Sequence, residues 1–456
     1  MKLTPEIFRA YDIRGLADKH FDEEFAYHLG LAFGSRLKSG NTISVGYDCR
    51  PTSQKYSLAL EEGLAGTGLN IIRVGMCPTP LLYYSVFADQ LDGGIMVTGS
   101  HNPSEYNGFK MCLGQTTIHG EEIQELRKTI EKKDYRKGKG KIQNRKEPLV
   151  DSYIAHLRSC FPILVQNKKN PIKVILDAGN GTAGQVAPRL LKSLGFEVLE
   201  LFCDVDGTFP NHHPDPTVEE NLSALINSVL QEKADVGIAY DGDADRIGVI
   251  SDKGEVVWGD TLLTLFASEI YRQNKSVSVI GEVKCSDSLY EVVKRIGGKA
   301  IMWKTGHSFI KEKLKKEKAD IAGEMSGHIF FKDRYFGYDD AIYASLRLLE
   351  ILVHQNKKVS ALISDFPKYF STPEIRVDFD DKEKFTVIEK LKKVFSQKYS
   401  LISIDGIRIQ FGDGWGLVRP SNTQPALVLR FEARTKDRLL EIQKEVETVL
   451  KEVTAS

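Results

Sequence analysis

The sequence is short of cysteine and of net charge, and each shortage excludes a class of protein. Only six of its 456 residues are cysteines, scattered and without a CxxC pair, so we expect reduced thiols with mostly structural roles. Lysine plus arginine and aspartate plus glutamate each number 62, which leaves no overall field to attract nucleic acid or anionic lipid. We therefore expect a small-molecule partner and no nucleic-acid partner.

Long apolar runs are absent as well. No stretch approaches the roughly 20 apolar residues that a membrane-spanning helix needs, and the N-terminal MKLTPEIFRAYDIRG lacks the apolar core of a secretory signal. With 41% hydrophobic and 27% charged residues, the composition is typical of a soluble globular chain. We expect a cytoplasmic protein without a membrane partner and a monomer, although no motif fixes the oligomeric state.

Short runs rich in valine and isoleucine recur along the chain and alternate with helical patterns. Buried parallel strands in α/β layers produce this alternation. The predicted strands include residues 42–47, 71–75, 94–97, 172–176 and 236–240. The predicted helices include residues 53–66, 185–194, 221–231 and 287–296.

Three strands run into polar loops that contain glycine, and we interpret them as a weak repeat of one α/β unit. The segments are GGIMVTGSHNP from Gly93, ADVGIAYDGDADR from Ala234 and ADIAGEMSGH from Ala319. Ligands of open α/β sheets bind beyond the carboxyl ends of strands, so the chemistry should lie in these loops if the units face a common cleft. The predicted fold class is α/β, with mixed, largely parallel sheets.

Changes of pattern divide the chain into four predicted domains. A basic stretch at 132–146, which we interpret as a solvated loop, precedes the first boundary. The last segment alternates strands with long amphipathic helices, which is typical of a small α+β module. The predicted domains are residues 1–150, 151–255, 256–367 and 368–456.

Three aspartates follow the predicted strand at 236–240. Asp241, Asp243 and Asp245 alternate with small residues, and alternation on an extended segment would place all three carboxylates on one side. Oxygen-only ligands favour a hard cation, with Mg²⁺ as our choice because it completes its shell with waters and phosphate oxygens. A different interpretation is an acidic turn, in which like charges repel unless something neutralises them.

An EF-hand is excluded by position. Counted from Asp241, its loop would need glycine sixth and glutamate twelfth, where the sequence has Arg246 and Asp252. Arg246 beside three aspartates is instead typical of a phosphate clamp, because its planar fork can bond two phosphate oxygens at once.

Ser100 lies in the polar loop TGSHNPSEYNGFK, where we expect a nucleophile to be exposed. A serine needs a base or a metal beside it, and His101 is adjacent in sequence while the aspartate loop could bring the metal. For this loop alone, a serine and asparagine that cap the next turn explain the pattern equally well.

Further polar motifs suit sugars and phosphates, although a structural role explains each of them when it is taken alone. GEMSGH at 323–328 offers a carboxylate, a hydroxyl and an imidazole for sugar hydroxyls, or forms a tight turn. RPSNT at 419–423, after GDGWG, offers a phosphate site or a surface turn. His307 and Lys110 are single acid/base candidates.

Together with FRAYDIRG near the N-terminus, the motifs GSHNP, DGDADR, GEMSGH and RPSNT resemble those of the α-D-phosphohexomutases. The resemblance spans all four predicted domains in order, and GEMSGH is similar to the phosphomannomutase/phosphoglucomutase branch rather than the phosphoglucosamine branch. It implies three related α/β domains and a smaller C-terminal α+β domain around one cleft. It also implies an isomerase that interconverts hexose 1-phosphate and hexose 6-phosphate.

The resemblance assigns roles to residues. The serine matching Ser100 carries the phosphoryl group, hexose 1,6-bisphosphate is the intermediate and activator, and one Mg²⁺ is bound by Ser100, Asp241, Asp243 and Asp245. Glu324 and Ser326 would bind the sugar's O3 and O4. No residue would then contact the C2 substituent, so glucose and mannose could both be accepted. The implied substrate-binding residues are Tyr11, Arg246, Lys284, Glu324, Ser326, Arg419, Ser421, Asn422 and Thr423. The resemblance makes Arg14, Lys110, His307 and His328 acid/base candidates, and His101 is a further candidate because it is adjacent to Ser100; which of them is the acid or the base stays open.

Rival functions come from different classes of protein. Gly179, Gly181 and Gly184 form GxGxxG after the strand at 172–176, with Glu200 near the expected acidic position, as in dinucleotide-binding enzymes. A non-catalytic sugar-phosphate binding protein, a metal-dependent sugar phosphatase and a phosphoglucosamine mutase are three further functions that the same motifs allow.

Overall fold

The computed structural model describes residues 3–166, 171–421 and 425–455. These residues form four successive domains, each built around one β-sheet. Among them, no helix combines the length and the apolar character needed to cross a membrane.

The first domain holds a seven-stranded sheet. Its strands are β1 (Ile13–Leu16), β2 (Thr42–Tyr47), β3 (Asn70–Met76), β4 (Gly93–Val97), β5 (Tyr106–Leu113), β6 (Thr116–Thr117) and β7 (Ile142–Asn144). Its helices are α1 (Glu23–Gly34), α2 (Ser53–Ala65), α3 (Thr79–Ala88) and α4 (Glu121–Lys132), after a 3-10 turn at Pro5–Ile7. The strand order is β1-β5-β4-β2-β3-β7, with β6 paired to β5.

The second domain has five strands in the order β12-β11-β10-β8-β9, with β8 (Lys173–Asp177), β9 (Glu197–Leu201), β10 (Val236–Tyr240), β11 (Ile247–Ser251) and β12 (Val256–Val257). Its helices are α5 (Leu149–Cys160), α6 (Pro162–Gln166), α7 (Ala187–Ser193) and α8 (Ser223–Gln231), and its 3-10 turns are Thr182–Gln185 and Glu219–Leu222. The helix predicted at 185–194 is thus shorter, because a proline in the first turn of α7 restarts the helix after the 3-10 turn.

The third domain has four strands in the order β14-β13-β15-β16, with β13 (Ser278–Glu282), β14 (Lys299–Trp303), β15 (Ile321–Gly323) and β16 (Ile329–Phe331). Its helices are α9 (Gly259–Asn274), α10 (Asp287–Arg295), α11 (His307–Glu317), α12 (Ala341–Gln355) and α13 (Val359–Leu362).

The fourth domain is smaller and its sheet is antiparallel throughout. Its strands are β17 (Phe370–Ser371), β18 (Ile375–Asp378), β19 (Ser400–Ile402), β20 (Ile407–Gln410), β21 (Gly414–Pro420) and β22 (Ala426–Ala433). Its helices are α14 (Lys384–Phe395) and α15 (Lys436–Ala455).

The first three domains repeat one topology, which confirms the prediction of three related α/β units. In each, a central strand pairs in parallel with both neighbours, and one neighbour pairs antiparallel with the next strand. The antiparallel pairs are β4–β5, β10–β11 and β15–β16. The three polar loops join these pairs, so they occupy equivalent positions at the carboxyl ends of β4, β10 and β15.

The core explains how the domains are held together. One hydrophobic cluster runs from the first domain into the third and includes Leu81, Tyr153, Ile238, Phe266 and Leu346. The fourth domain packs α14 and α15 on its sheet in a separate cluster. The first three domains therefore share apolar packing, which is the main stabilising contribution to their arrangement.

Candidate active site

Ser100 occupies the loop between β4 and β5. Its φ is 51°, in the left-handed region that few residues other than glycine adopt, and its N–H donates to Thr98 Oγ1 over 2.8 Å. The side chain is only 1% exposed. The expectation of an exposed nucleophile is therefore wrong, because the aspartate loop of the second domain covers this serine.

The aspartate loop between β10 and β11 forms a turn, and the prediction of an extended segment is wrong. The Ala244 N–H donates to the Asp241 carbonyl over 3.0 Å, and Ala244 has a φ of 61°. This turn still brings a carboxylate oxygen of each of Asp241, Asp243 and Asp245 within 4.8 Å of the other two. The carboxylates thus converge through a turn and not through strand alternation.

The serine loop and the aspartate loop are in direct contact. Ser100 Oγ donates to Asp241 Oδ2 over 2.9 Å and lies 3.3 Å from His101 Nδ1. A β-carbon at Gly242 would lie 2.5 Å from the Ser100 carbonyl oxygen, so the approach requires glycine. The hydroxyl therefore lies between a carboxylate and an imidazole.

The three aspartates have the properties of a cation site. Lys110 Nζ donates to Asp243 Oδ2 over 2.7 Å and to Asp245 Oδ2 over 2.5 Å. Oδ1 of Asp243 and Oδ1 of Asp245 are buried and have no hydrogen-bond partner among the described residues. Because buried carboxylate oxygens without partners are costly, these residues fit a hard divalent cation.

Electrostatics distinguish the aspartates. Burial, together with the charges of Asp245 and Asp243, raises the pKa of Asp241 well above its usual range. Burial also acts to raise the pKa of Asp243, but the Lys110 ammonium, helped by hydroxyl hydrogen bonds such as that from Thr79, holds that pKa below its usual range. A single ammonium thus compensates only part of the negative charge in this loop.

The third loop meets the second through His328. Its Nδ1 lies 3.1 Å from the Asp245 carbonyl oxygen and 3.3 Å from Asp339 Oδ2, and Arg246 Nε donates to its Nε2 over 3.0 Å. These partners assign the proton to Nδ1 and the lone pair to Nε2. The Arg246 guanidinium therefore contacts a histidine, while the Arg246 backbone N–H donates to Asp241 Oδ1 over 3.1 Å.

His307 begins α11 and stacks on His328 with ring centroids 5.7 Å apart. Its Nδ1 lies 3.5 Å from Asp339 Oδ2, and neither ring nitrogen has a hydrogen bond among the described residues. Burial, with nearby cations, lowers the pKa of His307 and that of His101 well below the usual range. Both imidazoles are therefore neutral near neutral pH.

Two N-terminal candidates reach the same region. Arg14 donates to Asn102 Oδ1 over 3.0 Å and to Asp12 over 2.6 Å, so it touches the serine loop. Tyr11 meets the His307 ring edge-on at 5.5 Å. Burial, opposed by Arg419, raises the pKa of Tyr11 to about 12.

The sugar-loop candidates lie between β15 and β16. Glu324 is buried and accepts from the Gly306 N–H over 2.6 Å, while its own N–H donates to the His328 carbonyl over 2.9 Å. Ser326 lies in this turn and is partly exposed. The tight-turn interpretation is thus correct for the backbone, and it leaves the functional interpretation open.

The remaining cationic candidates, in the third and fourth domains, are held in ion pairs. Lys284 Nζ donates to Glu374 over 3.0 Å and lies 3.5 Å from Glu282. Arg419 Nε donates to Asp405 Oδ2 over 2.9 Å.

Ser421 lies next to Arg419 and is buried. Its carbonyl accepts from Lys384 Nζ over 2.6 Å. The predicted Asn422 and Thr423 lie outside the described residues.

Sequence reasoning missed the residues that hold these loops. The most connected are Asp48 and Arg50, which bond to the serine loop, and Thr79, whose hydroxyl donates to Asp243 over 2.6 Å. Asp339, between the two histidines, was also missed. The available signal was DCRPT after β2, another polar run at the carboxyl end of a strand.

The glycine loop that suggested a dinucleotide site has a different role in this structure. The Thr182 N–H donates to the Gly242 carbonyl over 3.0 Å, and a β-carbon at Gly181 would lie 2.7 Å from that oxygen. The loop therefore packs under the aspartate loop and supports it.

Phosphoryl transfer depends on positioning and on charge stabilisation, with little covalent chemistry left to the protein. A hydroxyl held against clustered carboxylates, with cationic side chains around it, meets that requirement. The fold and the site define a phosphoryl-transfer enzyme of the α/β class.

Comparisons with known proteins give the family. Models of phosphoglucomutase/phosphomannomutase domains match in order: alpha/beta/alpha domain I at residues 5–137, domain II at 151–254, domain III at 258–370 and the C-terminal domain at 374–449. The chain belongs to the phosphoglucomutase/phosphomannomutase family, whose function is the interconversion of hexose phosphates. This confirms the predicted family and enzyme class.

Individual relatives match along the whole chain. A phosphomannomutase/phosphoglucomutase of Pseudomonas aeruginosa is 44% identical over 457 residues, which cover 100% of this chain and 97% of that protein. A phosphoglucomutase of Neisseria gonorrhoeae is 43% identical, with coverage of 98% and 97%. The crystal structure of a family protein from Burkholderia thailandensis has a TM-score of 0.91 at 40% identity, covering 99% of this chain and 98% of that one.

Proposed function

We propose that this enzyme interconverts the 1-phosphate and 6-phosphate of mannose, of glucose or of both, through phospho-Ser100 and a hexose 1,6-bisphosphate. The observation that carries the proposal is the 2.9 Å hydrogen bond from Ser100 Oγ to Asp241, one of three buried clustered aspartates. The names of the Pseudomonas relative, a phosphomannomutase/phosphoglucomutase, and of the Neisseria relative, a phosphoglucomutase, support the two sugars.

The reaction balances without any further reactant. The phosphoryl group leaves Ser100 Oγ and bonds to a hydroxyl oxygen of the hexose monophosphate, whose proton is taken by the protein. The resulting 1,6-bisphosphate presents its other phosphate, Ser100 Oγ recovers a phosphoryl group, and the freed sugar oxygen regains a proton. His101, His307 and His328 are the candidates for moving these protons, with Lys110 and Arg14 as further candidates.

Mg²⁺ is the proposed cofactor, held by Asp241, Asp243, Asp245 and a phosphoryl oxygen on Ser100. The unpartnered Oδ1 atoms of Asp243 and Asp245 support this assignment. When bound, the ion would neutralise negative charge on the transferred group.

The rest of the cleft would anchor the part of the substrate that does not react. Glu324 and Ser326 would bind sugar hydroxyls. The phosphate that stays in place would be bound by Arg419 and Ser421, together with Asn422 and Thr423. Tyr11, Arg246 and Lys284 would contact the sugar phosphate near the reacting end.

A mutase assay on purified protein tests the proposal. With Mg²⁺ and a trace of glucose 1,6-bisphosphate, glucose 1-phosphate and mannose 1-phosphate should both give 6-phosphates, and Ser100→Ala should lose turnover while it still binds substrate. Release of inorganic phosphate in place of the 6-phosphate would instead establish a phosphatase. A preference for glucosamine 1-phosphate would establish the phosphoglucosamine branch.

The cytoplasmic location and the monomeric state complete the proposal. Sedimentation of the purified protein at micromolar concentration tests the monomer, and a dimer mass would overturn it.

A further inference from the structure

Arg50 lies in the loop after β2 and is buried at 2% exposure. Its Nη2 donates to the carbonyls of Ser100, over 2.7 Å, and of Asn102, over 2.5 Å. Its Nη1 donates to the carbonyl of Tyr106 over 3.1 Å and to that of Pro103. One guanidinium thus binds four carbonyl oxygens of the serine loop.

The remaining donor of Arg50 is used as well. Nε donates to Asp48 Oδ2 over 3.1 Å, so each of the five N–H groups of the guanidinium has one acceptor. The same carboxylate oxygen accepts from Thr98 Oγ1 over 2.8 Å and from the Gly99 N–H over 3.1 Å. Arg50 therefore binds the carbonyl groups of the loop, while Asp48 binds the Thr98 hydroxyl and the Gly99 N–H.

Two further close contacts surround the Arg50 guanidinium. A β-carbon at Gly99 would lie 2.5 Å from Arg50 Nε, and the Phe209 ring of the second domain covers the guanidinium with its centroid 5.1 Å from Cζ. Neither contact involves a group that reacts.

The loop needs such support because of its conformation. Ser100 adopts a φ of 51°, which is unfavourable for a residue with a β-carbon. That conformation directs Oγ to Asp241 over 2.9 Å. We infer that Arg50 is the positioning residue of the phosphoryl carrier, holding Ser100 in its strained conformation through the carbonyls of its loop.

This inference rests on the proposed role of Ser100, and its test uses Arg50→Lys. Lysine keeps a positive charge beside Asp48 but cannot bind four carbonyls, because its donors radiate from one nitrogen. A displacement of about 1 Å at a reacting group costs about a hundredfold in rate. We expect kcat to fall about a hundredfold, with KM for glucose 1-phosphate changed less than about threefold.

Arg136→Lys is the matched control. Arg136 also binds backbone carbonyls of the first domain, with Nε to Thr67 over 2.8 Å, Nη2 to Gly34 over 3.0 Å and Nη1 to Leu37. None of these lies in the serine loop. Both variants should melt at a lower temperature than the wild type, but only Arg50→Lys should lose kcat.

A single-turnover measurement separates positioning from stability. Enzyme phosphorylated by glucose 1,6-bisphosphate is mixed with glucose 6-phosphate, and loss of the serine phosphate is followed by mass spectrometry. The transfer rate should fall in Arg50→Lys by the same factor as kcat. If this variant does not fold, Asp48→Asn, which weakens the hold on Arg50, should show the same change in kcat alone.

The outcomes separate the two proposals. A wild-type enzyme that carries no transferable phosphate on Ser100 would overturn the proposed function. A wild type that transfers normally, with a folded Arg50→Lys of equal kcat or with a change confined to KM, would overturn the role of Arg50 alone.

Discussion

Two buried arginines use their donors differently. Arg50 in the first domain and Arg419 in the fourth are exposed by only 2% and 4%. All five N–H groups of Arg50 have acceptors within the protein. Arg419 donates from Nε to Asp405, and its buried Nη2 has no partner among the described residues. Arg50 thus has nothing left for a ligand, whereas Arg419 can still bind an anion.

The same contrast separates the two ends of the site. At the transfer end, side chains from two domains converge on Ser100 and the aspartates through bonds within the protein. At the anchoring end, Lys284 pairs with Glu374 and Arg419 with Asp405, and a phosphate could compete for both cations. In the proposed function, Ser100 attacks from one position, which fixed bonds suit, and the bisphosphate turns around, which exchangeable bonds suit.

The largest expected effect tests the charge balance at the transfer end. Lys110→Met removes the ammonium bonded to Asp243 and Asp245. Removal of one partner of a buried ion pair costs about 3 to 5 kcal/mol, so the metal-free variant should unfold at a markedly lower temperature. Added Mg²⁺ should stabilise both proteins, because it binds the folded state. The recovery should be larger in the variant, where no ammonium compensates the charges of Asp243 and Asp245.

Lys311→Met is the control for this prediction. Lys311 Nζ lies 3.0 Å from Asp339, which is buried but is not one of the three clustered aspartates. Its loss should lower the unfolding temperature without extra recovery by Mg²⁺. Equal recovery in both variants, measured by calorimetry with Mg²⁺ and with a chelator, would contradict the cation site.

A somewhat smaller effect is expected on the pH dependence of stability, where the adjacent carboxyls of Asp339 and Asp340 differ. Asp340 accepts from the hydroxyls of Tyr153, over 2.7 Å, and Tyr335, over 2.7 Å, and from the Tyr343 N–H, over 2.8 Å. Burial raises the pKa of Asp340 from 3.8 to about 6. Burial also acts on Asp339, but the Lys311 ammonium helps hold that pKa well below its usual range.

The direction of the pH effect follows from that shift. Between pH 4 and 6 the folded state keeps a proton on Asp340 that the unfolded state has lost, so this group's contribution to stability falls as pH rises through the window. A shift from 3.8 to about 6 corresponds to about 3 kcal/mol. In Asp340→Asn this dependence should vanish. A difference in unfolding temperature between the two proteins that is constant from pH 4 to 7 would contradict the prediction.

The sequence predicted the central strands well. The predicted strands 42–47 and 236–240 have the bounds of β2 and β10, because runs of valine and isoleucine are favoured in strands buried on both faces. The turn at Ala244, which brings the three aspartates together, was not predicted. Alanine rarely adopts positive φ, and no neighbouring residue indicates a turn there.

Contacts between distant segments explain what the sequence did not reveal. Ser100 is buried because a loop about 140 residues later covers it, and the pattern around Ser100 predicted exposure. Arg50 was missed because four of its five acceptors are main-chain carbonyls, which any residue supplies. The identity of a long-range partner is not encoded in the composition near either residue.

The smallest expected effect tests the comparison directly, because Arg419→Lys should change the opposite kinetic constant from Arg50→Lys. Lysine keeps the charge near Asp405 but has no planar second donor for a phosphate. Loss of one such charged hydrogen bond, worth about 1.5 kcal/mol, should raise KM for glucose 1-phosphate about tenfold. Steady-state kinetics on both variants provide the measurement. If Arg419→Lys lowered kcat and left KM unchanged, the fourth domain would belong to the transfer end, and the division of the site by donor use would be wrong.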